Sequence, residues 1–471
     1  MIKHEFLIIG SGPGGYIAAI RAAQLGYNVA IVEQESTLGG ICLNWGCIPT
    51  KSLLQSALIY HNTKKADIFG INVKDITYNF SKIIERSRNV VEKLSNGISQ
   101  LMKKNNIKVY HGTAKLLGNG KAEVSDSSNK KINITSTHII LATGAQAKSL
   151  PNINFDNNIV WNAKNAMIPD QFPKSLLIIG SGAIGIEFAS FYNTFGTQVT
   201  IVELKDNILP LEDHEISDLM HKILTQQGIK IYTKSSVTKL EKFNNYAKVQ
   251  ISNTTDLQVD KVILAVGVQP NTTNIGIENT QIKTDNSGFI ITNSYCYTDE
   301  PGIYAIGDVA GFPCLAHKAS HEAVLCVDSI AIKENRITDS QHKVHPINKS
   351  NIPSCIFSIP QIASIGLTEH QAKDQGYDIK VGKFHANCSG KAIAIDETEG
   401  FAKVIIDKST GELLGAHMIG AEVTEMINGY VIAKQVEATD KDIISSIFPH
   451  PTLSEMIHEA VLSSNNESLN S

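Results

Sequence analysis

The sequence contains LIIGSGPGGYIAAIRAAQLGYNVAIVE at residues 7–33 and LIIGSGAIGIEFASFYNTFGTQVTIVE at residues 177–203. The two stretches align without a gap, and Gly180 stands 170 residues after Gly10. Each stretch reads as an apolar strand, a glycine turn, a helix, a glycine stop and a second apolar strand that ends in an acid. This order is the β-α-β pattern of a dinucleotide-binding unit.

The three glycines of each copy have separate tasks. The first permits a tight turn, the second lets the backbone approach a pyrophosphate, and the third lets the helix pack close to the strand. They are Gly10, Gly12 and Gly15 in the first copy and Gly180, Gly182 and Gly185 in the second. The closing acids, Glu33 and Glu203, are placed to hydrogen-bond an adenosine ribose. A single glycine fingerprint is weak evidence, but the complete pattern occurs twice, so the sequence predicts two dinucleotide sites.

Size and composition limit the class of protein. A chain of 471 residues predicts two to four domains, and a net charge of −4 argues against a nucleic-acid surface. The apolar runs are far shorter than a membrane span needs. Because the N-terminus leads directly into a strand and the seven cysteines are scattered, we expect a reducing compartment, the bacterial cytoplasm by preference.

The rest of the chain completes an α/β plan. The strand-like stretches 139–144 and 262–267 each end in glycine, and we expect them to close two Rossmann-like domains, the second inserted in the first. From about Ile352 the pattern changes to antiparallel strands and amphipathic helices near 422–434 and 453–463, which predicts a C-terminal α+β domain. The polar tail 464–471 predicts disorder.

Two cysteines, Cys42 and Cys47, directly follow the first nucleotide unit in the stretch CLNWGC. They could be ordinary buried thiols or metal ligands, although no second Cys/His pair stands at the spacing of a metal finger, so no metal site is predicted. Pro49 suits the first turn of a helix, which would place Cys47 at a helix N-terminus, where a thiolate is favoured. Lys51 adds a cation nearby, so the local context favours a redox-active disulfide. The other cysteines read as core or surface residues: Cys296, Cys314, Cys326, Cys355 and Cys388.

The two nucleotide units, CLNWGCIPTK at 42–51, AIGD at 305–308 and HPTLSE at 450–455 resemble the pyridine nucleotide-disulfide oxidoreductases over essentially the whole chain. The resemblance implies an FAD-binding domain at 1–148 and 272–347, an NAD-binding domain at 149–271 and a dimerisation domain at 348–471. It implies FAD contacts at Gly10, Gly12, Gly15, Glu33, Lys51, Ala114, Thr143, Gly144, Asp308 and Ala316. It implies NAD contacts at Gly180, Gly182, Ile184, Gly185, Glu187, Glu203, Val237 and Gly267, with Glu187 also pairing with Lys51.

His450 and Glu455 admit two interpretations. Thr452-x-x-Glu455 fits a helix capping box, in which Glu455 only serves the helix start. A disulfide pair needs a proton acceptor, however, and a histidine oriented by a carboxylate suits that task. The resemblance favours the base and places this pair of one subunit against the disulfide of the other, in a homodimer. It implies that Cys47 lies against the flavin and that Cys42 exchanges with substrate.

Within the family the resemblance is strongest to members that oxidise dihydrolipoamide with NAD⁺. It implies partners that carry lipoyl groups: the lipoyl domains and acyltransferase core of 2-oxo acid dehydrogenase complexes, or the lipoyl protein of glycine cleavage. Two departures from many relatives, Thr50 and the Phe448-Pro449 pair before His450, remove no catalytic group.

Three alternatives stay open at this point. A glutathione-type reductase that uses NADPH is disfavoured, because Glu203 would repel a 2′-phosphate and the stretch 203–206 offers one lysine and no arginine. A mercuric or large thioredoxin reductase would need thiols after Cys388. A non-enzymatic flavoprotein would not need both cysteines and the base.

Overall fold

A computed structural model describes residues 2–252, 256–338 and 344–470 of the chain. The strands are β1 (Ile2–Ile9), β2 (Val29–Glu33), β3 (Lys108–His111), β4 (Thr113–Gly118), β5 (Lys121–Ser125), β6 (Lys131–Leu141), β7 (Ala145–Ala147), β8 (Val160–Trp161), β9 (Ser175–Ile179), β10 (Gln198–Val202), β11 (Lys230–Tyr232), β12 (Val237–Lys242), β13 (Ala247–Ile251), β14 (Leu257–Val259), β15 (Lys261–Leu264), β16 (Val268–Pro270), β17 (Ile303–Ala305), β18 (Ser354–Ile356), β19 (Gln361–Gly366), β20 (Ile379–His385), β21 (Phe401–Asp407) and β22 (Leu413–Gly420).

The helices are α1 (Pro13–Gln24), α2 (Gly40–Trp45), α3 (Cys47–Lys64), α4 (Phe80–Lys104), α5 (Ala163–Met167), α6 (Ala183–Thr194), α7 (His214–Gln226), α8 (Ala316–Lys333), α9 (Glu369–Asp374), α10 (Gly390–Ala394), α11 (Val423–Met426), α12 (Asn428–Gln435), α13 (Asp440–Ser445) and α14 (Glu455–Ser464). The chain divides into two compact units. The first unit comprises 1–52, 81–148 and 267–347, and the second comprises 53–80, 149–266 and 348–471.

The first unit is built on a seven-stranded sheet. Its order is β3-β2-β1-β6-β5-β4, and β17 also pairs with β6. Strand β1 pairs in parallel with β2 and β6, so that Ile8 faces Ile31 and Ile140. The residues Phe6–Ile9 are buried without alternation, as expected for a parallel strand covered on both faces. Helices α1 and α8 pack against each other beside this sheet.

The second unit contains the repeat of that arrangement. Its parallel sheet has the order β11-β10-β9-β15-β8, and Ile178 of β9 faces Ile201 and Ile263. A three-stranded antiparallel sheet, β12-β13-β14, lies between β11 and β15 in the chain. The segment 149–266, which carries both sheets, interrupts the sequence of the first unit, so the predicted insertion of one nucleotide domain in the other is confirmed.

The C-terminal part of the second unit is an antiparallel sheet with the order β18-β19-β22-β21-β20. Its apolar side packs against α12 and α14, with Tyr430 and Ala460 fully buried. One cross-strand row is polar in every strand. That row consists of Ser354, Ser364, His417, Lys403 and Lys383.

The structure confirms the predicted fold class and the predicted C-terminal helical stretches, which are present as α11, α12 and α14. The tail prediction was wrong for its described part, because α14 includes Ser464 and residues 468–470 hydrogen-bond to the buried Glu459. Ser471 lies outside the described residues. None of the described helices is long and apolar enough to cross a membrane. The residue boundaries at 148, 271 and 347 stay predictions.

Candidate redox site and nucleotide sites

The first glycine turn has the shape that a pyrophosphate needs. Gly10 has φ +101°, and a Cβ there would lie 2.3 Å from the carbonyl oxygen of Ala142. A Cβ at Gly15 would lie 1.9 Å from the carbonyl oxygen of Gly10, so both positions require glycine. A Cβ at Gly12 would meet nothing nearer than the Cα of Gly40 at 4.0 Å, which leaves an open cradle before α1.

The second turn repeats this geometry. Gly180 has φ +98° and its Cβ would lie 2.4 Å from the carbonyl oxygen of Ala265. A Cβ at Gly185 would lie 2.1 Å from the oxygen of Gly180, and a Cβ at Gly182 would have no neighbour within 4 Å among the described residues. Each turn is followed by a twelve-residue helix whose first backbone N–H groups are not used within the helix. Both cradles therefore fit a dinucleotide.

The closing acids also stabilise the turns, by a network that sequence reasoning missed. Oε2 of Glu33 accepts hydrogen bonds from Ser11 N at 2.9 Å and Ser11 Oγ at 2.6 Å, and Oε1 accepts one from Glu35 N at 2.9 Å. Glu203 makes the corresponding bonds with Ser181 and with Lys205 N. Ser11 and Ser181 occupy the same position in the two copies of the repeat, so the sequence contained the signal for these bonds. A carboxylate has about four acceptor positions, so each acid retains one for a ribose hydroxyl.

The other FAD candidates lie in the first unit. Ala114 is buried in β4, and the Thr143 hydroxyl donates to the Asn271 carbonyl at 2.8 Å, beside Gly144 at φ +70°. Ala316 is the first residue of α8. Asp308 lies in a single 3₁₀ turn before that helix, and burial raises the pKa of its carboxyl while the Lys318 cation opposes the rise.

A buried ion pair shapes the turn around Asp308. The Lys318 ammonium donates to the carbonyl oxygens of Gly307 at 3.1 Å and Gly311 at 2.9 Å. It also pairs with Glu322 Oε1 at 3.1 Å, while Glu322 Oε2 accepts from Gly307 N at 2.7 Å. Sequence reasoning missed this pair, although its i,i+4 spacing on α8 could have indicated it.

The NAD candidates belong to both units. Ile184 is exposed on the first turn of α6, and Val237 begins β12. The buried Glu187 accepts a hydrogen bond from Phe357 N at 3.0 Å. Gly267, with φ +105°, lies in the first unit, as does Lys51. The predicted pairing of Lys51 with Glu187 and the individual nucleotide contacts stay predictions.

The cysteine pair lies where two helices meet. Cys42 is in α2, and Cys47 is the first residue of α3, which agrees with the predicted helix N-terminus. The structure contains the pair as two thiols whose side chains hydrogen-bond to each other. This bond to Cys47, followed by burial, raises the pKa of Cys42, against the lowering effect of the Lys51 cation. Cys42 therefore holds its proton while Cys47 lies at the positive end of a helix.

The segment that carries the cysteines is attached to the first glycine turn. The backbone N–H of Gly39 donates to Ser11 O at 3.1 Å and to Ser11 Oγ at 3.2 Å. Gly40 has φ +61°, and a Cβ there would lie 2.5 Å from the Cα of Gly12. The thiol pair is thus held beside the cradle of the first nucleotide.

His450 and Glu455 lie in the second unit and contact each other, with Nδ1 of His450 2.9 Å from Glu455 Oε1. Glu455 Oε2 accepts from Thr452 N at 2.9 Å, whereas the Thr452 hydroxyl donates to the Pro449 carbonyl. Only one half of the expected capping box is therefore formed. Burial raises the pKa of Glu455, but the bonds from Thr452 and His450 outweigh it and lower the pKa.

The remaining cysteines lie in the core or at the surface, as the sequence predicts. Cys296 and Cys326 are buried, Cys314 and Cys355 are half-buried, and Cys388 is exposed. In the part of the chain that the structure describes, no cluster of three or more His, Cys, Asp or Glu residues could hold a metal ion.

Known proteins match this chain over its full length. Residues 4–323 match the family described as pyridine nucleotide-disulphide oxidoreductase, and residues 352–461 match the dimerisation domain of that family. A dihydrolipoyl dehydrogenase of Zymomonas mobilis is 46% identical over 97% of this chain and 97% of its own. Another, of Bacillus subtilis, is 40% identical over 99% of both chains.

Solved structures agree with these relatives. A Cu(II) complex of the HOCl-induced flavoprotein disulfide reductase RclA of Escherichia coli is 29% identical, with a TM-score of 0.87 over 98% of this chain and 99% of that chain. LpdA of Mycobacterium tuberculosis, at 21% identity and a TM-score of 0.89 over 98% of this chain and 99% of that chain, shares the fold.

The chain therefore belongs to the pyridine nucleotide-disulphide oxidoreductases, and within that class to the dihydrolipoyl dehydrogenases, the name carried by its full-length relatives. It is an enzyme of this flavoprotein family, and the predicted cofactors FAD and NAD(H) are confirmed. The dimerisation domain supports the predicted homodimer.

Proposed function

We propose that this chain oxidises protein-bound dihydrolipoamide and reduces NAD⁺ through Cys42 and Cys47. The observation that carries the proposal is the pair of hydrogen-bonded thiols at the α2–α3 junction, on a segment bonded to the first nucleotide turn. The net reaction converts a dithiol and NAD⁺ into a disulfide, NADH and a proton. When bound, FAD accepts the electron pair from the thiols and supplies hydride to NAD⁺.

The two cysteines have different tasks in this reaction. A substrate thiolate attacks Cys42 Sγ, the Cys42–Cys47 bond breaks, and Cys47 leaves as a thiolate. The start of α3 and the Lys51 cation favour that thiolate. The second substrate thiol then attacks the mixed disulfide, and Cys42 leaves and takes a proton. The raised pKa of Cys42 supports this assignment, because it makes Cys42 the thiol that retains a proton.

His450 accepts the proton of the incoming substrate thiol. Its Nδ1–H donates to Glu455, so Nε2 is the nitrogen that can act as base. The imidazole is 77% exposed in this single chain, which leaves it open to another molecule. We propose that the partner subunit's His450 faces Cys42, so that each active site needs two chains.

The residues predicted for the nucleotides keep those roles in the proposal. The first unit's glycine turn, Glu33 and the Asp308 turn hold FAD, and the second unit's turn and Glu203 hold NAD. Glu203 supports NAD over NADP, because the residue is 7% exposed and its carboxylate, already hydrogen-bonded to Ser181, would repel a 2′-phosphate. We further propose a cytoplasmic enzyme that serves lipoyl domains of a 2-oxo acid dehydrogenase complex or the lipoyl protein of glycine cleavage.

One assay tests the reaction, the acceptor and the substrate class together. The purified holoenzyme is given dihydrolipoamide with NAD⁺, dihydrolipoamide with NADP⁺ and, in the reverse direction, oxidised glutathione with NADPH. We expect fast turnover only with dihydrolipoamide and NAD⁺. Turnover confined to glutathione and NADPH would keep the roles of the cysteines but contradict the assigned substrate and the role of Glu203.

A further inference from the structure

Helix α4 anchors the cysteine segment, residues 38–49. Its polar side chains donate hydrogen bonds to three backbone carbonyls of that segment. The bonds are Ser87 Oγ to Pro49 O at 3.2 Å, Arg88 Nη1 to Asn44 O at 3.0 Å and Ser95 Oγ to Leu38 O at 3.0 Å. Two of the three carbonyls lie outside the loop that joins the cysteines, one before Cys42 and one after Cys47. The third lies inside the loop and is held by Arg88.

Arg88 caps the C-terminal end of α2. Asn44 and Trp45 are the last two residues of that helix, and the carbonyls at a helix end have no partner within the helix. The guanidinium donates to the Asn44 carbonyl, and its carbon lies 4.6 Å from the centre of the Trp45 ring. Both contacts favour a cation at the negative end of a helix dipole. They fix the end of α2 immediately before Gly46 and Cys47.

The burial of this guanidinium argues for a task other than packing. Nε and Nη2 are shielded from solvent and have no hydrogen-bond partner in residues 2–252, 256–338 or 344–470. Burial lowers the pKa of Arg88. Shielded donors without partners destabilise a fold, and an aliphatic side chain would fill the same space without that cost. The contribution of the guanidinium therefore lies in the loop end that it holds.

We propose that Arg88 is a positioning residue for the redox pair, which keeps the end of α2 where Cys42 and Cys47 can close a disulfide. This inference rests on the proposed function of the pair. Disulfide bonds demand a narrow range of Cα separation and direction. Without Arg88 the end of α2 moves more freely, the two thiols meet less often, and the disulfide is less stable relative to the dithiol.

The test measures the thiol–disulfide equilibrium of the holoenzyme. Parent and Arg88→Met proteins are equilibrated anaerobically in lipoamide–dihydrolipoamide buffers, alkylated rapidly, and the peptide that carries both cysteines is quantified by mass spectrometry. For Arg88→Met we expect the oxidised-to-reduced ratio to fall about tenfold, equivalent to about 30 mV for this two-electron couple. NADH oxidation by ferricyanide, which takes electrons from the flavin without the thiols, should stay within about twofold.

Arg86→Met is the matched control. Arg86 lies on the same helix and is exposed, and it donates to Ser52 O and Oγ, outside the loop between the cysteines. We expect its oxidised-to-reduced ratio to stay within about twofold of the parent.

An Arg88→Met ratio within about twofold of the parent overturns the inference, and so does an equal loss in Arg86→Met. If Arg88→Met does not fold, Arg88→Lys, which keeps the charge but loses the planar fork, replaces it: a loss beyond about twofold supports the inference and a smaller one overturns it. A parent protein whose cysteines never form a disulfide contradicts the proposed function itself.

Discussion

At the scale of single residues, the two cysteines share a loop but not an environment. Cys47 begins α3, whereas Cys42 is half-buried and its pKa is raised by the bond to Cys47 and by burial. Such an asymmetry suits a pair in which one thiol exchanges with substrate and the other delivers electrons.

Cys42→Ser should therefore abolish NAD⁺ reduction by dihydrolipoamide and leave NADH oxidation by ferricyanide intact, because only the first reaction needs the exchanging thiol. Flavin content is measured from the absorbance of the purified protein and should equal that of the parent. Cys388→Ser, at an exposed cysteine, is the control and should retain full activity. Lipoamide turnover by Cys42→Ser at the parental rate would refute the role of the pair.

His450→Gln should lower lipoamide turnover at least ~10²-fold, the lower range for the loss of a general base. A suitable control is His370→Gln, because His370 makes a similar contact, Nδ1 to Asp374 at 2.8 Å, on an exposed helix face. It should leave the rate unchanged. A nearly normal rate in His450→Gln would leave Glu455 with the capping role alone.

Glu455→Gln should lower lipoamide turnover across the pH range in which the parent is active. The lowered pKa of Glu455 means that the carboxylate persists in the folded protein below its usual range, so its help to His450 is present above that range and is lost only as the pH falls through the lowered pKa. In Glu455→Gln that help is lost at every pH, so kcat/KM should fall throughout the profile. The measurement is the pH profile of kcat/KM between pH 5 and pH 9, a range set around the ordinary titration of histidine, about 6.5.

Sequence reasoning at this scale found the residues but not all of their contacts. The glycine turns, the acids and the cysteines are repeated or closely spaced in the sequence, so pattern alone predicted them. The bond from Ser11 to Glu33 and the contact of Gly40 with Gly12 join residues that are 22 and 28 positions apart. Such contacts depend on the turn that brings the chain back, and no local pattern encodes them.

At the scale of secondary-structure elements, α7 joins the polar row of the C-terminal sheet. Lys403, which is 2% exposed, pairs with Asp213 at 3.0 Å and Glu215 at 2.7 Å from the start of α7, and with Glu369 at 2.7 Å. Beside them, Glu212 bonds to Ser364 through one oxygen, while Oε2 is shielded and has no partner in the described chain. Burial, with the neighbouring Asp213, raises the pKa of Glu212 to about 7 against the effect of Ser364.

Glu212→Gln should therefore stabilise the protein at high pH. Because the pKa is raised, the contribution of Glu212 to the stability of the folded state is fully present below its usual pKa of 4.5. That stability is lost as the pH rises through the folded-state pKa of about 7. The full penalty above that pH is on the order of 3 kcal/mol, which the uncharged amide avoids. Calorimetry should show a higher Tm for the variant at pH 8.5, by about 5 °C, and almost no difference at pH 5.

Glu215→Gln, three residues away, should have the opposite effect and serves as the control. The hydrogen bonds from Lys383 and Lys403 outweigh burial and lower the pKa of Glu215. The charged Glu215 stabilises the folded state above its usual pKa, and this stabilisation is lost as the pH falls through the lowered pKa. Glu215→Gln should therefore lower Tm at pH 8.5. A Glu212→Gln variant less stable than the parent at that pH would contradict the charged, buried state of Glu212.

Sequence patterns predicted the elements that are contiguous in the chain but not the contacts between distant elements. The β-α-β units were predicted because strand, turn and helix follow one another directly. The attachment of α4 to the cysteine segment was not, because Arg88 and Asn44 are 44 residues apart and an arginine in an amphipathic helix ordinarily faces solvent. The polar row across five strands was hidden for the same reason, since each strand contributes only one residue.

At the scale of the whole molecule, the proposed catalytic groups are divided between the two compact units. The cysteines belong to the first unit and the His450–Glu455 pair to the second. The repeat in the sequence predicted two nucleotide domains, but no pattern within one chain can say whether a base and a disulfide meet in the same subunit. That question depends on how two copies assemble.

Mixing two inactive variants answers it. If the partner subunit's His450 serves Cys42, a mixed dimer of Cys42→Ser and His450→Gln chains has one site with both defects and one intact site. Joint refolding or co-expression should then restore about a quarter of parental lipoamide activity, because half of randomly assembled two-fold dimers are mixed. The variants mixed without subunit exchange are the control and should stay inactive. If the two groups meet within one subunit, every site in a mixed dimer carries one defect, and activity will not return although the mixed dimer is present by mass.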